Sequence, residues 1–423
     1  MKRILLVPDN TQWVIGAISA KIEEYLCAFQ FRTASAGVAQ LYPSVFKEAI
    51  DRSEVVHFLT PYEYARWAGS INKPTVVTLH HCTPENTSIV PALSSADYVH
   101  VIAGEWRDFL VSRGIARDKI FVMPNGVDAE LFNIPTAHQR RAARAELGIP
   151  DGRFVIGFFG KESDDLRKGS DIFIASLRSG VLDARKYAVV LAGVPTKRLV
   201  NQLAELPVSV RNLGFVESCV DLVNAYHALD CYAISARCEG GPCTLLEAMS
   251  CAVPVISTPV GIARDILTEA RDVGIRISKD SPRELAEALE SLRKNPEACR
   301  AIGRNARELV TQRFAWRNVL GALDDNYRSL LKEACSNSAV TGSDETFWER
   351  VDYLTALCDK ERWEAKLRPA AVLAERRRVY REMFCLRPFH WRSWYVLLKV
   401  EKDNKILNQL YRLLRWLAAL LVR

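Results

Sequence analysis

The chain is short of almost every signal that announces a function in a few residues. It has 11 cysteines, yet no Cys-x-x-Cys and no His/Cys spacing that makes a zinc site. They read as reduced, mostly buried thiols of a cytosolic protein and not as a disulfide framework. No G-x-G-x-x-G follows the first strand-like run, which argues against a dehydrogenase. No apolar stretch is long enough to be read as a membrane span. The opening MKRILLVPDN begins like a signal peptide, but Ile4–Val7 is too short an apolar region and Pro8-Asp9 ends it, so a buried first strand is the better reading. No repeat recurs at the periods of solenoids. A formal charge of +7 over 423 residues is mild. It suits anionic substrates or an acidic membrane face and does not indicate nucleic-acid binding.

What is present is the composition of a globular protein, 49% hydrophobic and 25% charged, at a length that suits two domains and an appendage. Lys2–Val7, Val55–Leu59, Thr75–Leu79, Tyr98–Ile102 and Ile120–Val122 read as strands, with Ile18–Phe29 and Glu105–Arg113 as helices among them. Such alternation implies a parallel sheet covered on both faces. Asn133–Ala143, polar and carrying Pro135, reads as a linker and a short helix. A second series follows in Phe154–Phe159, Tyr187–Ala192, Val208–Leu213, Cys231–Ile234, Val253–Ser257 and Gly274–Ile277, closed by amphipathic helices at Ser281–Arg293 and Pro296–Arg313. The expected fold class is α/β: domains at 1–146 and 147–335, the last helix of the second free to pack back on the first, with a ligand cleft between them. After Ser336 the small, polar segment SNSAVTGSDE leads to a helical extension, 345–423, that includes Trp348, Trp363, Trp391, Trp394 and Trp416.

The chemistry concentrates in Ser235–Gly261, SARCEGGPCTLLEAMSCAVPVISTPVG. A strand ends, a Gly-Gly-Pro loop follows, a helix begins at Thr244–Ser250 and another strand comes straight after. Glycines let backbone N–H groups approach a ligand, and a helix N-terminus adds free donors and the positive end of a dipole. Pro242 suits a position at or near the first helical residue, where it costs no hydrogen bond. Glu239 precedes the loop and Glu247 lies eight residues later. Ionised carboxylates only accept, which fits sugar hydroxyls: Glu247 the pair on a ribose, Glu239 a hexose beyond the diphosphate.

EGGPCTLLEAMSCAVPVISTPVG resembles the signature of family 4 glycosyltransferases, a retaining class of GT-B fold with two Rossmann-like domains facing across a cleft, which hold a nucleotide sugar with an E-x7-E motif. The resemblance runs from about Lys2 to Leu331 and is most specific in the second domain. It implies a donor site made of Gly160, Gly240, Gly241, Pro242, Cys243, Thr244, Leu245 and Glu247. GFFGKESDDLRKGSDIFI, from Gly157, is similar to the segment whose two cations grip the donor diphosphate. Lys168-Gly169 keeps the Lys-Gly, while Lys161 stands in the usual Arg place and lacks its bidentate fork; Arg167 is a candidate to compensate. Gly214 and Phe215 fall where backbone groups touch the base. MPNGVDAELF, from Met123, matches a segment closing the first domain, with a structural role. TLHHCTP, from Thr78, offers His80 at the strand end where family members carry a His near the donor sugar, and His81 where some carry an acid. The first loop departs from the pattern: PDNTQWVIGAIS has only Gly16 in place of a glycine-rich turn, and Trp13 is a candidate for the acceptor surface.

The resemblance implies front-face transfer. The leaving diphosphate, neutralised by Lys161, Lys168 and loop amides, helps remove the acceptor proton, and Glu239 orients the sugar. Glu239, Lys168 and His80 are the catalytic candidates. No Asp-x-Asp occurs and Asp164-Asp165 are adjacent, so no metal is expected, and no cofactor beyond the nucleotide-sugar donor. The expected partners are that donor, a glycan or lipid-linked acceptor, and no nucleic acid. The rivals are a nucleotide-sugar epimerase on the same scaffold and an inactive nucleotide-binding scaffold. The tail ILNQLYRLLRWLAALLVR, Ile406–Arg423, carries Arg412, Arg415 and Arg423 but no acid. It reads either as an in-plane membrane anchor on a peripheral cytoplasmic protein or as a helix packed on the protein or a second copy.

Overall fold

The computed structural model describes residues 1–161, 166–270, 272–333 and 344–367. The chain divides into two compact units, Met1–Thr355 and Ala356–Arg423. The first holds both sheets. Of the second, the described residues are the closing turns of one helix, so the tail at 406–423 lies outside the described residues, as do Asp164 and Asp165.

The first half runs β1 (Arg3–Val7), α1 (Val14–Tyr25), β2 (Gln30–Thr33), α2 (Ala36–Leu41), α3 (Pro43–Asp51), β3 (Val55–Phe58), α4 (Pro61–Trp67), β4 (Thr75–Leu79), α5 (Val90–Leu93), β5 (Tyr98–Val101), α6 (Gly104–Ser112) and β6 (Ile120–Val122). Then α7 (Ala137–Glu146) leads to β7 (Phe154–Lys161), α8 (Ser170–Arg178), β8 (Tyr187–Val194), α9 (Lys197–Ala204), β9 (Ser209–Asn212), α10 (Cys219–His227), β10 (Cys231–Ile234), α11 (Cys243–Ser250), β11 (Val255–Ser257), α12 (Gly261–Glu269) and β12 (Ile275–Arg276). The helices α13 (Pro282–Lys294), α14 (Pro296–Arg313), α15 (Trp316–Val319), α16 (Gly321–Glu333) and α17 (Asp344–Leu367) follow.

Each series of strands forms one six-stranded sheet, ordered β2-β1-β3-β4-β5-β6 and β12-β11-β10-β7-β8-β9. All the recorded pairings are parallel. The central strands are buried along their length, as in VVHF of β3 and TVVTL of β4, because helices cover both faces. The fold is thus the two-sheet α/β arrangement that the alternation implies. One element differs from the reading. The helix expected over Ile18–Phe29 is α1, which ends at Tyr25, and the chain then adds the edge strand β2.

The chain crosses from the first sheet to the second after β6 and returns before α15. The two crossings lie side by side: Val127 N donates to Phe314 O at 2.8 Å and Trp316 N to Val127 O at 3.4 Å. Arg307 bridges carbonyls of both crossings' surroundings, Phe132 O at 2.6 Å, Ser250 O at 2.7 Å and Ala129 O at 2.8 Å. Having returned, α16 seats Tyr327 in the first core, where its hydroxyl lies 2.6 Å from His57 Nδ1. A relay continues from His57 Nε2 to Thr78 Oγ1 (2.8 Å), to His100 Nδ1 (2.9 Å), and from His100 Nε2 to Met123 O (2.7 Å). One carbonyl fixes every proton in it. Met123 O only accepts, so His100 Nε2 donates, His100 Nδ1 accepts from Thr78, Thr78 accepts from His57 Nε2, and His57 Nδ1 accepts from Tyr327. Burial keeps both rings neutral, His100 near a pKa of about 4.

The opening turns of α17 belong to this first unit. Thr355 Oγ1 reaches Thr33 O and Ser35 N, each at 3.5 Å, at the end of β2. Trp348 is 1% exposed, with the guanidinium groups of Arg3 and Arg32 over its ring at 5.3 and 5.7 Å.

Candidate functional site

In the second sheet the chain leaves β7 toward β8 and β9, then returns to lay β10 on the other side of β7. Where strand order reverses, the loops diverge and a crevice opens at the strands' carboxyl ends, the usual ligand site of an open α/β sheet. The motif residues sit at the ends of these two strands: Gly160 and Lys161 close β7 and Lys168 follows it, while Glu239 to Leu245 come after β10. The side chain of Lys161 is outside the described residues, so only its place at the end of β7 is established.

The two loops are laced together. Ser235 Oγ donates to Gly169 O at 2.7 Å and Arg237 N to Arg167 O at 2.8 Å, while the Arg237 fork grips Asp171 at 2.8 and 2.7 Å. This brings Arg167 and Lys168 onto a single carboxylate oxygen. Glu239 Oε1 accepts from Arg167 Nη1 at 2.9 Å and meets Lys168 Nζ at 2.5 Å. Glu239 is only 7% exposed. Burial pushes its carboxyl upward, but Lys168 and then Arg167 outweigh it and hold the group below the ordinary carboxylate value. An ionised acid with two cations is therefore held at the crevice. A small cavity beside it, at the ends of β7 and β8, is lined by Gly160, Lys168, Ala192, Pro195 and Leu199 among others.

Pro242 is the N-cap of α11 (φ −61°, ψ 109°), and Cys243, Thr244 and Leu245 form the helix's first turn. Leu245 N turns back onto Pro242 O at 2.9 Å. One turn on, Glu247 Oε2 accepts from the Tyr226 hydroxyl at 2.7 Å. Burial lifts the Glu247 carboxyl to about 7, against the opposing effect of that bond. The glycines ahead of the helix are packed tight. A Cβ on Gly240 would collide with the His80 carbonyl oxygen, and one on Gly261 with the Gly240 carbonyl oxygen. Gly261 also has a left-handed φ of 48°. Gly241 O accepts from Asn125 Nδ2 at 3.1 Å.

Across the crevice, the end of β4 presents the two histidines differently. His80 Nε2 lies 3.0 Å from Leu59 O, to which it must donate, leaving Nδ1 as acceptor. Burial drives its pKa down to about 3, so it is neutral. His81 is lowered by burial first, then by Arg167, with Glu239 opposing, which places it within the field of the cation–carboxylate cluster. Farther out, Gly214 (φ 64°) ties β9 to β8 by accepting from Gly193 N at 2.7 Å. The Phe215 side chain is 38% exposed.

Comparison with known proteins finds a family match in each half of the chain. Residues 139–309 match the family described as glycosyl transferases group 1, and residues 23–131 match glycosyltransferase family 4. The chain is 30% identical over 228 residues to the D-inositol 3-phosphate glycosyltransferase of Saccharomonospora viridis, an alignment covering 51% of each chain. It is 26% identical over 218 residues to the lipopolysaccharide core biosynthesis mannosyltransferase LpsB of Rhizobium meliloti, covering 50% of this chain and 61% of that one. The chain thus spans about half the length of the first of these relatives. In fold it superposes on Anabaena HepE in complex with UDP-glucose at a TM-score of 0.67 and 20% identity, over 78% of this chain and all of the other. It belongs to the family 4 type of GT-B glycosyltransferases.

For this family 4 chain, the sequence alone left several contacts out of view. Asn125 reads in sequence only as part of the PNGVD segment, yet its side chain holds the Gly240–Gly241 loop. Tyr226 reads in sequence as one more core aromatic of α10, and nothing marks it as the partner of Glu247. Glu105 and Asp265 carry no motif at all, yet Glu105 Oε1 accepts from Gly261 N at 2.6 Å and Asp265 Oδ2 from Gly104 N at 2.9 Å. Among the described residues no group of three or more His, Cys, Asp or Glu is arranged to hold a metal ion. No described helix is long and apolar enough to cross a membrane.

Proposed function

We propose that the chain is a retaining glycosyltransferase that moves a sugar from a nucleoside-diphosphate sugar to a hydroxyl of a glycan or lipid-linked acceptor, without a metal. The observation that carries this reading is the buried Glu239 with Lys168 and Arg167 on one oxygen, beside the first turn of α11. Cations and helix-start amides suit a diphosphate, whose charge grows as the bond from the anomeric carbon to the phosphate oxygen breaks. The acceptor oxygen bonds to the same face of that carbon, and its proton passes to the departing phosphate oxygen. Glu239 is engaged by two cations, which suits it to orienting the sugar better than to attacking it. His80, neutral and fixed by Leu59, faces the sugar from the first domain. Glu247 takes the ribose hydroxyls, and Gly214 and Phe215 border the base.

The names of the relatives favour transfer to a cyclitol phosphate or a lipopolysaccharide core over epimerisation. The basic tail would place such an enzyme at the cytoplasmic membrane face. Deletion of residues 406–423 should then abolish co-sedimentation with acidic vesicles.

A thermal-shift panel of UDP, GDP and ADP in EDTA tests the donor site on wild type and Glu247→Ala. A ligand at a hundred times its Kd stabilises by about 2.7 kcal/mol. One nucleotide should shift the wild type and not the variant. Transfer from the corresponding sugar nucleotide, with the product anomer read by NMR, then tests retention. No shift with any of the three would favour an inactive scaffold.

A further inference from the structure

The helices α6 of the first domain and α12 of the second meet at their N-termini, and each supplies the other's cap. Asp265 of α12 accepts from Gly104 N, the first amide of α6, at 2.9 Å. Glu105 of α6 accepts from Gly261 N, the first amide of α12, at 2.6 Å. Neither helix has a side-chain cap from its own N-cap residue, which is Ala103 in one and Val260 in the other. A carboxylate at a helix start satisfies an orphan donor and meets the positive end of the dipole. Each domain therefore completes a helix that belongs to the other.

The exchange also reaches the donor loop. The second amide of α12, Ile262 N, donates to Gly240 O at 3.0 Å. Gly261 lies so close to that carbonyl and to Glu239 O that no Cβ fits. Gly240 is thus pinned between the start of α12 and the His80 carbonyl, and Gly241 is held by Asn125. Glu105 fixes the amide next to the one that holds Gly240.

We propose that Glu105 and Asp265 are positioning residues for the donor site: their reciprocal capping sets the Gly240–Gly241 loop, so that the loop takes its ligand-holding shape only when the two domains are in contact. This rests on the glycosyltransferase reading for what the loop holds, but the coupling is a property of the free protein.

The test is hydrogen exchange of the full chain without ligand, for wild type, Glu105→Ala, Glu105→Gln and Asp265→Ala. Loss of a capping acceptor is worth about 1 kcal/mol, roughly a fivefold change. In Glu105→Ala, exchange should speed by about that factor at Gly261–Ile262 and also at Gly240–Leu245, with β8 unchanged as an internal control. Glu105→Gln keeps an acceptor oxygen and should restore most of the protection at both places. Asp265→Ala should release Gly104 and the same loop. Acceleration at Gly261 with no change at 240–245 would overturn the proposal, reducing Glu105 to a local cap. The Kd for whichever of UDP, GDP or ADP binds the wild type should weaken about fivefold in Glu105→Ala and recover in Glu105→Gln. If none binds the wild type, that failure belongs to the donor reading, and the exchange pattern alone decides the coupling.

Discussion

The Tyr226 hydroxyl donates a hydrogen bond to Glu247 Oε2 across 2.7 Å. Burial sets the Glu247 pKa at about 7, so near neutral pH the group expected to hold the ribose is half protonated. Two hydroxyl donors need an ionised acceptor. Nucleotide affinity should therefore be flat above about pH 8 and weaken up to tenfold per unit below about pH 6. Calorimetric titration across that range reads it. A flat profile would remove Glu247 from the ligand contacts.

Folding raises this carboxyl from the ordinary 4.5 to about 7. The folded state binds the extra proton between those values, so this group's contribution to stability falls as pH rises through the window. Glu247→Gln removes the penalty. At pH 8 its Tm should exceed that of the wild type, while the shift given by nucleotide disappears. A Tm that drops would show that Glu247 supports the fold.

Tyr226→Phe removes the one opposing influence on Glu247. The midpoint of the affinity profile should move upward by about one unit, the worth of a hydrogen bond to a charged group. An unmoved midpoint would mean that Tyr226 does not sense the carboxylate.

Lys168→Ala takes away the nearer of the two cations on Glu239. Loss of one preorganised charge-stabilising group costs about 10²–10³ in kcat. The loss should fall on kcat more than on KM, because the diphosphate gains charge as the bond breaks. A change confined to KM would assign Lys168 to ground-state binding only.

Tyr327→Phe strips the donor from His57 Nδ1 at the head of the buried relay. An unsatisfied buried acceptor costs about 1–3 kcal/mol, visible as a lower urea midpoint at unchanged slope. Trp348→Ala should cost about 3–5 kcal/mol, as for other buried aromatics, and would show α17 to be part of the first domain's core.

The sheets were legible because their strands are nearly continuous apolar runs separated by amphipathic helices, a pattern that depends only on neighbours in the chain. The edge strand β2 was not. QFRT is half-buried along its length and follows Phe29, which continues the apolar stripe of α1 past its end. Glu239 was singled out by the glycine loop beside it and Lys168 by the family resemblance, and neither signal showed that the two side chains meet. What could not be read were partners distant in sequence. Asn125 and Gly241, Glu105 and Gly261, and Tyr226 and Glu247 each meet only because two loops or helices converge, and no residue pattern records that meeting. His81 shows the limit most clearly. The resemblance separates the adjacent histidines by position but not by environment: one backbone carbonyl claims the first and leaves the second in the field of the charged cluster.

The side-by-side crossings at Val127 and Ala315 have a mechanical meaning. Two tethers set far apart would forbid rotation between the bodies they join. Two tethers bonded to each other act as one pivot pin, and the sheets then lie on either side of it like the leaves of a door. A small twist in the few backbone bonds around 127 and 315 turns one sheet against the other, and the paired caps of α6 and α12 act as the catch that resists it. Stiffness at the pin and the strength of the catch are thus separate properties, set by different residues.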